Sequence, residues 1–339
     1  MATAPKPIIV KEFPGMNNVA RQGVMGTTSD GKQNLAAVKA VLNMNTTTDR
    51  KLEKRAGYAL WRSLPGAHSL WFDGKDFLCA ARGTASLESL YRVSMDKLVT
   101  EICPITGLGE PLYYLPASGV VYISSRMWNG VYASGAVRHW GSEYGDDPAL
   151  LDDAGSSEKM MLLNTSGPPC MENLCLAGGR IFGSVGSRVH YSDPPMALEM
   201  YRPDTYHDFS DTITMIAVAD DGMFFASADQ TWFATGHDPL AWEFTLVGKG
   251  AIPGSLQYKP QQHANNIPMW LNKQGVQIGT RGVLQATEEK VRFDTAGRAA
   301  SVFKKQGGGQ YLSSFIQPPD VGFGDSATCE IVRNGKLLN

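Results

Sequence analysis

The stretch Asp220–Gly236, "DDGMFFASADQTWFATG", reads as a turn, an alternating strand, a polar break and a second strand. An Asp-Asp-Gly turn opens it, and Phe224 and Ala226 alternate with their neighbours at the two-residue period of a pleated strand. Trp232 and Phe233 start the second run after Ala228-Asp229-Gln230. Nothing in the stretch carries an obvious reaction, yet its outline recurs along the chain.

Close variants are "DGKDFLCAARGTASLESLYRV" (Asp73–Val93), "SGVVYISS" (Ser118–Ser125), "GGRIFGSVGSRVHYSD" (Gly178–Asp193) and "QGVQIGTRGVLQAT" (Gln274–Thr287), with a half-match in "GGGQYLSSF" (Gly307–Phe315). Their turn glycines are Gly74, Gly119, Gly179, Gly222, Gly275 and Gly309, spaced by about 47 residues on average. Periods of 40–50 residues with several short strands each mark β-propeller blades. One blade exposes two apolar faces and two edges, and a ring of blades covers the faces. The expected fold is therefore all-β, a propeller of about six irregular blades. Small residues after each first run, such as Gly183, Ala226 and Gly279, are expected where neighbours crowd. An irregular β-sandwich is the competing reading.

Local patterns fill in the rest. Helical spacing is scarce. "TASLESLYRVSMDKLV" (Thr84–Val99) splits into two strands about Ser94-Met95-Asp96-Lys97, whereas residues 31–45 fit either a helix or a first strand. Asn129-Gly130 is expected to make a hairpin turn, as is Asn334-Gly335. Ser142–Lys159, with Glu143, Asp146, Asp147, Asp152 and Asp153, reads as a solvated loop; it lacks the alternating oxygen ligands of a Ca²⁺ loop. Ser192–Phe209 reads as a Pro-rich linker. Pro5, Pro7 and Pro14 keep the beginning of the chain extended, so residues 1–25 form an N-terminal arm and 26–339 a single propeller domain.

Composition limits the function. The chain has 31 Lys plus Arg and 33 Asp plus Glu, a net charge of -2, which gives no basic footprint for reading nucleic-acid sequence. Gly is 36 of 339 residues, above the usual share of about 7%, as many tight turns require. Cys79, Cys103, Cys170, Cys175 and Cys329 include no Cys-x-x-Cys pair and read as reduced thilos of a protein made in a cytosol. No run of 18 apolar residues and no secretory signal pattern occurs, so no membrane span or Sec export is expected.

Searches for chemistry return little. No P-loop, dinucleotide fingerprint, nucleophile elbow or His-Glu-x-x-His occurs. His68, His139, His190, His207, His237 and His263 are scattered. Ser227, Asp229 and Trp232 approach the Ser-x-Asp-x-Gly-x-x-Trp turn of sialidases, but Thr231 replaces the Gly and Trp comes two residues early. Arg82, Arg138, Arg188 and Arg281 follow turns, as salt-bridge formers or, alternatively, as a ring of positive charge. Trp71, Trp128, Trp140, Trp232, Trp242 and Trp270 serve either as packing between blades or as stacking platforms for sugars. No catalytic, cofactor-binding or metal-ligating residue is assigned, and the chain is expected not to be an enzyme.

Four segments, in order, resemble bacteriophage tail nozzle and tail hub proteins of the packaged-DNA stabilisation type. "IIVKEFPGMNN" is similar to their extended opening with a Phe-x-Gly-x-Asn turn, here Phe13, Gly15 and Asn17. "AAVKAVLNMNTTTDRKLEKRAGYALW" resembles their next element, with Arg55-Ala56-Gly57 as its turn. Arg188–Pro239 and "MWLNKQGVQIGTRGVLQATEEKV" (Met269–Val291) are similar to two of their blades. The resemblance implies a structural virion protein of the tail, assembled in the host cytoplasm as a hexameric ring around the DNA channel. It implies contacts with portal and adaptor proteins and with fibre or tail-tip proteins, and non-specific contact with passing DNA. The alternatives are a propeller glycan-binding protein or glycoside hydrolase, which needs converging carboxylates or aromatics, and a cellular propeller scaffold.

Overall fold

The computed structural model describes residues 44–46, 52–54, 60–141, 167–259, 267–280, 282–286, 297–306, 309–316, 332–333 and 336–337. A hairpin comes first, β1 (Met44–Thr46) with β2 (Leu52–Lys54). Five four-stranded antiparallel meanders follow. Sheet 1 holds β3 (His68–Phe72), β4 (Asp76–Ala81), β5 (Ser89–Ser94) and β6 (Val99–Pro104). Sheet 2 holds β7 (Tyr113–Ala117), β8 (Val120–Ser124), β9 (Asn129–Ala133) and β10 (Ala136–Arg138). Sheet 3 holds β11 (Glu172–Ala177), β12 (Arg180–Val185), β13 (Arg188–Tyr191) and β14 (Tyr206–Asp208). Sheet 4 holds β15 (Met215–Ala219), β16 (Gly222–Ala226), β17 (Thr231–Thr235) and β18 (Phe244–Gly248). Sheet 5 holds β19 (Gln257–Lys259), β20 (Ile267–Asn272), β21 (Gly275–Thr280) and β22 (Val283–Ala286). A sixth, two-stranded sheet pairs β23 (Ala299–Gln306) with β24 (Gly309–Ile316). The last pair, β25 (Val332–Arg333) and β26 (Lys336–Leu337), flanks Asn334-Gly335 as the sequence predicts.

Alternation along each strand fastens one sheet to the next. In β16, Met223 and Phe225 join Cys175, Phe182 and Val189 of sheet 3. Phe224 and Ala226 point the other way and join Trp270 of sheet 5. The whole of β16 is buried, as a strand covered on both faces must be. Tyr122 and Val131 of sheet 2 pack with Met171 and Ile181. Leu78, Ala80 and Leu90 of sheet 1 pack with Ile123 of sheet 2. Leu271 of sheet 5 packs with Ala299 of sheet 6. The sheets therefore stack face to face in chain order. Arg298, which leads into β23, reaches Glu172 on β11 at 3.7 Å, so sheets 3 and 6 meet across an axis. This is a β-propeller, with five complete four-stranded blades among the described residues.

Local readings meet the structure unevenly. The turn expected about Ser94–Lys97 does separate β5 from β6, with Lys97 in the left-handed region, but of the stretch Thr84–Val99 only Val99 lies in the second strand, which runs on to Pro104. Met44 and Asn45, at the end of the ambiguous stretch 31–45, lie in a strand; the remainder of that stretch lies outside the described residues. So do the arm, residues 1–25, and the acidic loop Ser142–Lys159. Asn129-Gly130 is not a turn. Both residues lie in β9, and the hairpin turns at Ser134-Gly135, where both φ are positive. Gly130 is small for packing: a Cβ there would come within 2.7 Å of Val137 and 3.0 Å of Trp128.

Gly222 likewise opens β16, paired with Ala219, so Asp220-Asp221 make that turn. A side chain at Gly222 would run into the Ala234 carbonyl and the Phe233 ring. The quoted stretch thus supplies the middle two strands of sheet 4. In the first four sheets the marker glycine lies at the junction of first and second strands, whereas in sheet 5 it opens the third, because β19 precedes. Crowding at Gly279 and Gly183 comes from side chains: a Cβ would lie 2.6 Å from Phe224 or 2.7 Å from Met171.

Candidate functional site

The blades converge on their inner strands, and the axis is the natural place for a ligand in this architecture. A cavity of about 540 Å³ opens there, lined from β7 by Tyr114 and Leu115, from β11 by Leu174–Ala177, from β15 by Ile216 and Val218, and by Leu256, Tyr258 and His237. None of the lining side chains is an acid, a lysine or an arginine. Two of the polar side chains are engaged, since the Tyr258 hydroxyl accepts the Val218 N–H at 3.0 Å and His237 Nε2 lies 2.9 Å from the Ala219 carbonyl, whereas the buried Tyr114 hydroxyl has no hydrogen-bond partner among the described residues. Burial pushes the Tyr258 hydroxyl far above its ordinary pKa.

Toward the other end of β11, the axis is charged. Glu172 sits between Arg126 (3.4 Å) and Arg298 (3.7 Å). Nearby Tyr113 is pushed up to about 12, chiefly by burial and then by Glu172.

Off the axis, acids and bases join adjacent blades. Arg138, at the end of β10, forks onto Glu199 in the loop after β13: Nη1 donates to Oε2 at 2.7 Å and Nη2 donates to Oε1. Gly141 N–H and the Tyr122 hydroxyl donate to the same carboxylate at 3.0 and 3.3 Å. Burial favours the protonated form of Glu199, but the Arg138 and Gly141 donors outweigh it, and the carboxyl titrates below its usual range. The surrounding segment was expected to be a linker. Instead Leu198, Met200 and Tyr201 are buried, with Leu198 and Tyr201 filling the space between sheets 2 and 3. Asp193 in the same loop receives both Arg180 and Arg202.

His68, Glu88 and Ser69 form a second polar cluster that the sequence search missed, because its parts are 20 residues apart. His68 Nε2 lies 2.6 Å from Glu88, which also accepts the Gly109 N–H at 3.2 Å. His68 Nδ1 faces the Ser69 hydroxyl at 2.8 Å, and Ser69 accepts the Leu112 N–H at 2.9 Å. These are residue types of nucleophilic hydrolysis. Here the serine oxygen already receives a backbone donor, and the cluster pins the link between sheets 1 and 2.

The residues weighed from sequence fall into structural places. Trp140 and Trp270 are fully buried, Trp71 and Trp128 pack between sheets 1 and 2, and Trp232 and Trp242 pack on the sheet 3–4 core. Asp229 is an exposed turn residue paired with Lys273 at 3.5 Å. Arg188 pairs with Asp208 at 2.7 Å, Arg82 is exposed, and Arg281 lies outside the described residues. Among the described residues no cluster of three metal-ligating side chains occurs, and no helix is long and apolar enough to cross a membrane.

Cys79, Cys103, Cys170 and Cys175 are free thiols. Burial pushes Cys79 up to about 11 and Cys175 higher still. At pH 8 a disulfide reagent is expected to leave both unreacted in the folded protein and to label them in guanidinium. Rapid native labelling of either would mean that the sheet 1 or sheet 3 core opens readily.

No family model matches the sequence, and no curated protein sequence matches it. Solved structures do align with it, at low identity. PorZ of Porphyromonas gingivalis, an essential surface component of the type-IX secretion system, is 13% identical over 76% of this chain with a TM-score of 0.42. This chain spans 33% of the PorZ chain. The Pan2 WD40 domain of Neurospora crassa is 9% identical over 73% of this chain and 81% of its own, with a TM-score of 0.36. BBS1N, solved in complex with ARL6DN, is 10% identical over 75% and 88%, also with a TM-score of 0.36.

Proposed function

We propose that this chain is a structural, non-enzymatic subunit of a bacteriophage tail: a nozzle, hub or DNA-retaining plug below the portal and adaptor. Copies assemble as a hexameric ring, and DNA passes through the ring, not along the axis of one propeller. The observation that carries this reading is the axis itself. Its cavity of about 540 Å³ has a lining without acids, lysines or arginines, and Arg126, Glu172 and Arg298 meet at the opposite end. Such an interior suits a rigid block better than a pocket that turns over substrate, which calls for positioned acids, bases or metals. The ordered resemblance to tail proteins supplies the remainder of the argument.

In this role the N-terminal arm, residues 1–25, reaches a neighbouring adaptor or portal protein, and the outer surface receives fibre or tail-tip proteins. Assembly takes place in the host cytoplasm and the product resides in the virion. The glycan-binding alternative is weakened by the engagement of the tryptophans between sheets. Gold-labelled antibody against the chain, viewed on phage particles by electron microscopy, is expected to mark the tail below the portal. Label on the host cell alone, with bare particles, contradicts the proposal.

A further inference from the structure

Among the described residues, sheets 2 to 5 are covered on both faces by neighbouring sheets, but sheet 1 is covered by a neighbouring sheet on one face only. Its other face carries Phe77, Cys79, Tyr91 and Val93. The segment 60–67 lies over part of it and leaves a groove of about 520 Å³. At its margin Leu70 is 69% and Phe72 45% exposed, and Trp61, Phe72 and Phe77 make an aromatic patch with centroids 4.7–5.4 Å apart. At the opposite end of the stack, among the described residues, Ala299 of β23 faces sheet 5, whereas Val302 turns away and is 62% exposed. Two uncovered apolar faces at the ends of a stack of blades cost both their burial and their solubility.

Strand number points to what covers them. Five sheets have four strands and the sixth has two. The hairpin β1–β2 ends at Lys54, six residues before Leu60 at the groove. Six residues reach at most about 20 Å, so the hairpin is tethered beside the bare face. The other short pair, β25–β26, begins 16 residues after β24 ends and carries no such tether to sheet 1.

We propose that β1–β2 docks beside β23–β24 as the missing two strands of the sixth blade, and that this completed blade covers the groove on sheet 1. The propeller is then closed by non-covalent contact between the two ends of its own chain. Closure of this kind holds whatever the propeller does, and its test does not depend on the tail assignment.

The test places a photocrosslinker at the margin of the groove in the full-length protein, Phe72→p-benzoylphenylalanine, at a site already aromatic and half exposed. Equal amounts of ¹⁵N-labelled and unlabelled chains are mixed, irradiated and digested. The expected products join position 72 to residues 44–54 within one isotope. Mixed-isotope products overturn the proposal in favour of a neighbouring copy. Products confined to residues 332–337, to 299–316 or to 60–67, or no product at all, overturn it as well. Deletion of residues 1–54 gives a second readout: a lower Tm and new binding of an apolar dye are expected, and an unchanged Tm with no dye binding contradicts closure.

Discussion

Trp270→Ala is expected to destabilise the protein by about 3–5 kcal/mol, the usual range for removing a large aromatic from a core. Trp270 is fully buried and stands between sheets 4 and 5, 5.5 Å from the Phe224 ring. Its removal strips sheet 4 of its partner on that face, beside Ala217, Ala226 and Ala251, which are too small to fill the space. For a domain of this size the fall in Tm is roughly 5 °C. Trp270→Phe is expected to cost much less, because it keeps a ring in place and removes a buried indole N–H that has no hydrogen-bond partner. Asp229→Ala, in the turn between β16 and β17, is expected to change stability by no more than about 0.5 kcal/mol. Denaturant unfolding of the three variants checks the order. An Asp229 variant as damaged as Trp270→Ala would contradict the placement of these residues.

Arg138→Ala is expected to cost about 3–5 kcal/mol at neutral pH, since it leaves the Glu199 carboxylate buried without its cation. The Glu199 side chain is 3% exposed, and among the described residues the Gly141 and Tyr122 donors remain to hold it. The pH dependence has a definite sign. In the native protein the Glu199 pKa is lowered, so its contribution is present above the unfolded-state value, about 4.3, and is lost as pH falls through the lower folded value. In Arg138→Ala, burial acts without the guanidinium and raises the Glu199 pKa. That variant therefore recovers stability relative to wild type as Glu199 takes up a proton. The difference between the two proteins is expected to be largest at pH 7–8 and to narrow toward pH 4. Replacing both partners, Arg138→Met with Glu199→Gln, is expected to restore much of the loss. A pH-independent difference would mean that the pair is not the cause.

The propeller was legible because its signal is local. Period-two apolar runs and marker glycines each report on a few neighbouring residues, and their spacing reports the repeat. Phe224 and Phe225 could be assigned to opposite faces on alternation alone. What could not be read is non-local. Asn129-Gly130 has the composition of a turn, yet Val137 and Trp128 demand a glycine within the strand. Glu199 lies in a Pro-rich loop, and only the folded chain brings Arg138, 61 residues earlier, to its carboxylate. Its neighbours Leu198, Met200 and Tyr201 were the available hint, since three large apolar residues in four are unusual for a solvated linker. The His68–Glu88 cluster depends on the bulge in β3 between His68 and Trp71, which no composition rule announces. The axial cavity assembles one to four residues from each of four sheets and has no sequence motif at all.

Cryo-electron microscopy of the purified full-length protein tests the central claim most directly. The account predicts rings of six copies, each a closed propeller of six four-stranded blades whose own axis is blocked between the β7–β11–β15 cavity and Glu172. Single particles of one copy at micromolar concentration, or rings in which each copy is an open arc of five blades, would contradict it.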